Sequence, residues 1–244
     1  MQSSSKKIAL VTGANKGIGF EVARQIAASD CIVLLGARNE ALGEEAVTKL
    51  KHEGGDVRYL AIDLTNPATI AAAANRIQAD FGLLDILVNN AGIIVPGDGP
   101  PSGSALDAIE KTVRVNFIGS VAVTQAMLPL LRKAPSARIV NVSSGLGSLT
   151  KNADPNSHFA SIMWLGYSAS KAALNMFTVQ LANELRGTTM KVNSADPGYT
   201  ATDLNDHQGS QSIPEGAAEA IRLALLPDDG PSGSYSNTEG ILPW

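Results

Sequence analysis

The chain holds one cysteine and three histidines in 244 residues. Cys31 alone forms neither an intrachain disulfide nor a thiolate zinc site. His52, His158 and His207 stand far apart in the sequence, so no metal site is expected from them. Charge is scarce as well: Asp, Glu, Lys and Arg supply 17% of the residues, and the net charge is −4. A protein that grips nucleic acid through its phosphates carries a basic excess, which sets that class aside. Long hydrophobic runs are missing, since no stretch approaches the roughly 20 apolar residues that span a bilayer. Residues 1–7 carry two lysines but neither the apolar run nor the small-residue cleavage site of a secretory signal. These absences predict a soluble cytoplasmic protein with no membrane and no nucleic-acid partner.

What the chain does have is apolar residues, 44% of the total, which excludes a disordered chain. The length fits a single domain over residues 1–244 better than two small ones. Short apolar runs at 8–11, 31–35, 57–62, 84–88, 138–142 and 190–195 alternate with longer amphipathic stretches at 17–28, 40–52, 105–131, 165–185 and 214–225. Asn66-Pro67 reads as a helix start, a capping side chain followed by proline in the first turn. A short edge strand is expected at 233–236. Continuous apolar strands separated by helices mean a parallel sheet buried on both faces. The expectation is an α/β fold: a Rossmann-type, doubly wound parallel sheet of about seven strands flanked by helices. The longest irregular stretches, 93–104 and 145–166, follow strands and so fall at the carboxyl edge, where this architecture binds ligands.

The first strand runs into Thr12-Gly13-Ala14-Asn15-Lys16-Gly17-Ile18-Gly19. Glycines there let the backbone turn tightly and approach a pyrophosphate, and the helix that opens at Gly17 aims free N–H groups at it. The second strand ends in Gly36-Ala37-Arg38-Asn39, with no acid before Arg38. An acid at that point would bind a ribose 2′-OH, whereas a guanidinium suits a 2′-phosphate. Arg38 and Lys16 together favour NADP(H) over NAD(H). Asp63, after the third strand, is read as an adenine contact, with a turn or capping acid before Asn66 as the alternative.

Tyr167 and Lys171 are spaced i, i+4 at the start of a helix and share one face. A free tyrosine has a pKa of about 10, roughly 3 units from acid–base work at neutral pH. A neighbouring ammonium is expected to lower it and make Tyr167 a proton donor or acceptor for a carbonyl/alcohol pair. Ser143 and Ser144 end the fifth strand, where a hydroxyl can bond the same substrate oxygen.

With these features in family order, the chain resembles the short-chain dehydrogenase/reductase family. The marks are Thr12-Gly13 with Gly17-Ile18-Gly19, Asn89-Asn90-Ala91-Gly92, Val115-Asn116, Ser144, Tyr167 with Lys171, and Pro197-Gly198 with Thr202. The resemblance implies that Ser144 polarises the carbonyl and that Tyr167 is the general acid in reduction. It implies that Lys171 lowers the Tyr167 pKa and holds the nicotinamide ribose. Asn116 would kink its helix and support a water linking Lys171 to solvent. Gly13, Asn15, Gly17, Ile18 and Gly19 would cradle the cofactor, with Asp63 and Leu64 at the adenine. Asn90, Ala91 and Gly92 would line the adenosine ribose. Pro197, Gly198, Thr200 and Thr202 would hold the carboxamide.

Ser144 and Tyr167 stand 23 positions apart, further than in many members. An insertion between them, and the run Asn15-Lys16-Gly17-Ile18-Gly19, resemble the NADPH-dependent carbonyl reductase branch. The insertion is expected to cover the helix face that many relatives use to dimerise, so monomer and homo-oligomer both stay open. Ile94, Val95, Leu146, Phe159, Met163, Trp164, Tyr199 and Leu204 are candidates for the substrate pocket; packing within the inserted loop is the alternative for Phe159, Met163 and Trp164. The expected partner is a small-molecule carbonyl or alcohol. Two alternatives remain: a dedicated substrate such as a 3-oxoacyl thioester, or a non-catalytic NADP(H) sensor.

Overall fold

A computed structural model describes residues 6–244, so most of the N-terminal stretch that was read for a leader lies outside the described residues. The chain runs β1 (Lys7–Thr12), α1 (Gly17–Ala28), β2 (Cys31–Ala37), α2 (Glu40–His52), β3 (Val57–Ala61), α3 (Pro67–Asp80) and β4 (Ile86–Asn89). It continues with α4 (Leu106–Val113), a π-helical turn (Arg114–Gly119), α5 (Ser120–Leu131) and β5 (Arg138–Val142). After α6 (Leu149–Ala153) come α7 (Leu165–Glu184), β6 (Lys191–Ala195), α8 (Ile213–Ala224), β7 (Tyr235–Asn237) and β8 (Gly240–Ile241).

The strands form one sheet in the order β3-β2-β1-β4-β5-β6-β7-β8. All neighbours are parallel except β7 and β8. Among the described residues eight strands replace the seven expected, because a two-residue strand follows β7 and makes the edge. A strand so short has no apolar run by which to be read. Period-two alternation splits the core into two layers. Ala9, Val11, Val33 and Leu35 pack with Val22, Ile26, Leu50 and Leu223 from α1, α2 and α8. Leu10, Leu34, Leu87 and Ile139 pack on the other face with Ile77, Met127, Leu131 and Leu181 from α3, α5 and α7.

The local signals act where expected. Asn66 accepts the Ala68 N–H at 3.0 Å ahead of Pro67, and Asn39 caps α2 through the Leu42 N–H. Ser212 and Glu215 form a capping box on α8. The stretch 105–131 departs from expectation in being broken by the π-turn. By length and composition this helical run, Leu106–Leu131, is apolar enough to cross a membrane, but here Val123, Met127 and Leu131 are buried against the sheet. The strand order reverses between β1 and β4, which opens a crevice at the carboxyl edge.

Candidate active site

The turn after β1 is shaped by glycine. Gly13 adopts φ +63°, and a Cβ on it would come within 2.9 Å of Ala91 Cα. A Cβ on Gly19 would meet Asn90 Nδ2 at 2.3 Å. The Asn90 amide donates to Thr12 O at 2.9 Å and Gly13 O at 3.2 Å, so it braces the glycine turn from the end of β4. The turn floors a cleft of about 480 Å³ that runs from Arg38, Asp63 and Leu64 at one end to Tyr167, Lys171 and Pro197 at the other. Asn15, Lys16, Ile18, Ala91, Gly92 and Thr202 also line it.

At the inner end, Tyr167 and Lys171 project from the first turns of α7, and both are buried. Lys171 Nζ donates to Val142 O at 2.8 Å and lies 5.5 Å from the Tyr167 ring centroid. Ser144 caps the 3-10 turn Gly145–Gly147 and accepts the Leu146 N–H at 3.3 Å. A hydrogen bond from its side chain draws the Tyr167 pKa down, but burial outweighs it and pushes the phenol up to about 12. Burial lowers Lys171 to about 8. This corrects the expectation that the ammonium depresses the tyrosine: desolvation is the larger effect on both groups.

Asn116 sits in the π-turn and is fully buried. Its Oδ1 accepts the Ile93 N–H at 2.8 Å, and its Nδ2 donates to Ile93 O at 2.9 Å and Ser170 Oγ at 3.1 Å. The side chain staples the loop after β4 to α7.

Several expected contacts fall elsewhere. Thr200 donates to Pro197 O and packs on Gly216 of α8, away from the cleft. Gly198, at φ +68°, is covered by Gln211. Asp63 Oδ1 accepts from the Thr65 N–H at 2.8 Å and its hydroxyl at 2.7 Å, which is the turn-acid alternative, although the residue still lines the cleft. Lys16 is paired with Asp203 from the far wall. Among the proposed pocket residues Ile94 and Leu204 line the cleft. Trp164 stands edge-on to Tyr167, with centroids 6.4 Å apart. Phe159 is half-buried and packs on Gly145 beneath Lys151. Met163 and Tyr199 are exposed. The insertion does not cover the α5–α7 face, where a groove lined by Phe117, Val121, Met176 and Phe177 stays open.

Sequence reasoning missed Asp98. Its two oxygens accept the Gly166 and Tyr167 N–H groups, each at 2.8 Å, and so cap the helix that carries Tyr167. No local signal marks a cap 68 positions from its helix. It also missed Asp196, which is buried immediately before Pro197, and Tyr235 on β7.

A crevice at the carboxyl edge of a doubly wound sheet, floored by a glycine turn and ending in a buried Tyr–Lys pair, defines a dinucleotide-binding oxidoreductase fold. The family model of short chain dehydrogenases matches residues 7–212, and the chain belongs to that family. It is 34% identical to carbonyl reductase [NADPH] 1 of Mus musculus, over 99% of this chain and 100% of that one. It is 32% identical to a (+)-neomenthol dehydrogenase of Capsicum annuum, over 96% of each chain. The crystal structure of NADPH-bound carbonyl reductase from chicken fatty liver superposes with a TM-score of 0.86 at 28% identity, covering 98% of this chain and 99% of that one.

Proposed function

We propose that the chain is an NADP(H)-dependent reductase of ketones and aldehydes, in which Tyr167 is the general acid. One observation carries this reading. Tyr167 and Lys171 are buried together with Nζ 5.5 Å from the ring centroid, and Ser144 stands beside the phenol, at the inner end of a cleft whose outer end presents Arg38. The cleft suits the cofactor. A Cβ on Gly13 or Gly19 would strike Ala91 or Asn90, so glycine keeps this turn tight, and no side chain caps the start of α1, where a pyrophosphate would be held by backbone N–H groups. Arg38 lines the outer end of the cleft and would pair with a 2′-phosphate. When bound, NADPH supplies the hydride.

The carbonyl oxygen would sit between Ser144 Oγ and Tyr167 Oη. Both hydroxyls then donate to it, which polarises the carbon. As the carbon gains the hydride, Tyr167 gives its proton to the oxygen and the alcohol leaves. With its pKa pushed up to about 12, Tyr167 is protonated at neutral pH, and the Lys171 ammonium would ease release of that proton as the phenolate forms. The cationic Lys171 offsets the phenolate left behind and, in this reading, also holds the nicotinamide ribose. Asn90, Ala91, Gly92, Pro197 and Thr202 bound the cofactor's path.

The test is initial rates with NADPH and NADH on activated ketones and aromatic aldehydes, with Tyr167→Phe alongside. The expected result is turnover with NADPH, much less with NADH and none in the variant. Activity that survives Tyr167→Phe overturns the acid assignment. NADPH binding without turnover on any carbonyl overturns the reductase reading in favour of a sensor.

A further inference from the structure

We propose that Asp196 and Tyr235 are positioning residues that clamp the single peptide unit between Ser144 and Gly145, and through it fix the Ser144 hydroxyl. Neither residue touches the cleft, and both are buried. Tyr235 Oη donates to Ser144 O at 2.7 Å. The N–H on the other side of that peptide belongs to Gly145, which faces Asp196: a Cβ on Gly145 would lie 3.3 Å from Asp196 Oδ2. The Asp196 carboxylate thus stands beside the Gly145 N–H, which favours its charged form. A trans peptide points its C=O and N–H in opposite directions, so Tyr235 holds it on one side and Asp196 flanks it on the other. Rotation about the bonds that carry Ser144 would break one contact or the other.

The clamp has its own supports. The Tyr235 ring stacks on Trp244 at 5.5 Å and 24°. Trp244 O accepts from Thr150 N at 3.0 Å and Thr150 Oγ1 at 2.8 Å, and Pro243 O accepts from Ser148 Oγ at 2.8 Å. The segment after β8 is thereby tied to the inserted helix α6. On the other side, Asp196 Oδ1 accepts the Gly198 N–H at 3.0 Å. One carboxylate therefore links the Ser144 turn to the loop that begins at Pro197. Lys151, Lys171, Tyr167 and Tyr235 are the titratable groups around it, and the two lysines favour its charged form against the cost of burial.

The catalytic consequence rests on the reductase reading of Ser144; the clamp itself does not. Two measurements separate them. The first is amide hydrogen exchange by mass spectrometry on the segment 143–148 in Tyr235→Phe and Asp196→Asn. Phe removes the donor to Ser144 O, and Asn replaces one acceptor oxygen with a donor facing the Gly145 N–H. Exchange at least tenfold faster in this segment, with β1–β4 unchanged, is expected; unchanged protection in both variants overturns the clamp whether or not the protein turns anything over. The second is a double-mutant cycle in steady-state kinetics. Tyr235→Phe should lower kcat about tenfold with KM for NADPH within about twofold, and should have no further effect in a Ser144→Ala background. An equal loss in both backgrounds shows that Tyr235 does not act through Ser144 and overturns the positioning role. If Ser144→Ala alone leaves kcat intact, the reductase assignment of Ser144 fails and the exchange result still decides the clamp.

Discussion

Lys16 and Asp203 form an ion pair across the mouth of the cofactor cleft, joining the glycine turn to the loop after β6. His207 Nε2 approaches the second oxygen of Asp203 at 2.9 Å. The ammonium beside it holds the Asp203 carboxyl below its ordinary range. A 2′-phosphate reaching for Lys16 must therefore compete with a carboxylate already in place. Asp203→Asn releases Lys16, and because exposed pairs are worth at most about 1 kcal/mol, the expected gain is roughly threefold to fivefold tighter NADPH. NADH, which has no 2′-phosphate, should be unaffected. Fluorescence titration of both cofactors decides this, and an equal gain for both would show that Asp203 merely narrows the cleft.

Arg38 is the other cation of the pair read from the sequence, and it lines the cleft while exposed to solvent. A guanidinium–phosphate fork is stronger than a neutral hydrogen bond, so Arg38→Ala should weaken NADPH by about 10-fold to 100-fold. Preference over NADH should largely disappear. Retained preference in Arg38→Ala would move the discrimination to Lys16, which Lys16→Ala then tests by the same titration.

These two residues also show where reading from sequence reached its limit. Arg38 is placed by the end of an apolar strand, so its position at the cleft follows from a local pattern. Lys16 was placed equally well, but its partner Asp203 is 187 positions away and no periodicity announces it. The same division holds elsewhere. Tyr167 and Lys171 share a helix face by spacing alone, and Asn66-Pro67 opens α3 by local chemistry. The caps and clamps made by Asp98, Asp196 and Tyr235 come from distant elements and are visible only once the sheet order brings those elements together. The burial that pushes Tyr167 up and Lys171 down is likewise a property of the packed core, which the i, i+4 spacing does not contain. Thr200 went astray for a related reason: a motif fixes which loop carries it, while the contact with Gly216 of α8 decides which way it turns.

Asp98 should matter for stability and catalysis together. It satisfies two of the N–H groups that α7 leaves free at its first turn, and its charge suits that end of the helix. Asp98→Ala leaves both donors without this partner at a cost of about 1–3 kcal/mol, read as a lower denaturation midpoint. Asp98→Asn keeps one acceptor and should fall between the two. Because Tyr167 stands in the same turn, kcat should drop alongside. A variant of normal stability and normal kcat would show that the cap is redundant.

The pH profile follows from two buried groups with opposite displacements. The proposed reduction requires Tyr167 protonated, and with its pKa pushed up to about 12 that condition holds throughout the range in which proteins are commonly assayed. Lys171 is the group that titrates first, because burial brings it down to about 8. Above that pH it loses the charge that would offset the developing phenolate. The ratio kcat/KM reports groups of the free enzyme, so reduction should decline on the alkaline side from about pH 8. Lys171→Arg separates this from any other cause, since a guanidinium does not lose its proton in this range. Whatever activity that variant keeps should show the alkaline decline displaced upward by at least about one pH unit. A decline that stays where it was would assign the limb to another group, and the ammonium would then be needed only for geometry.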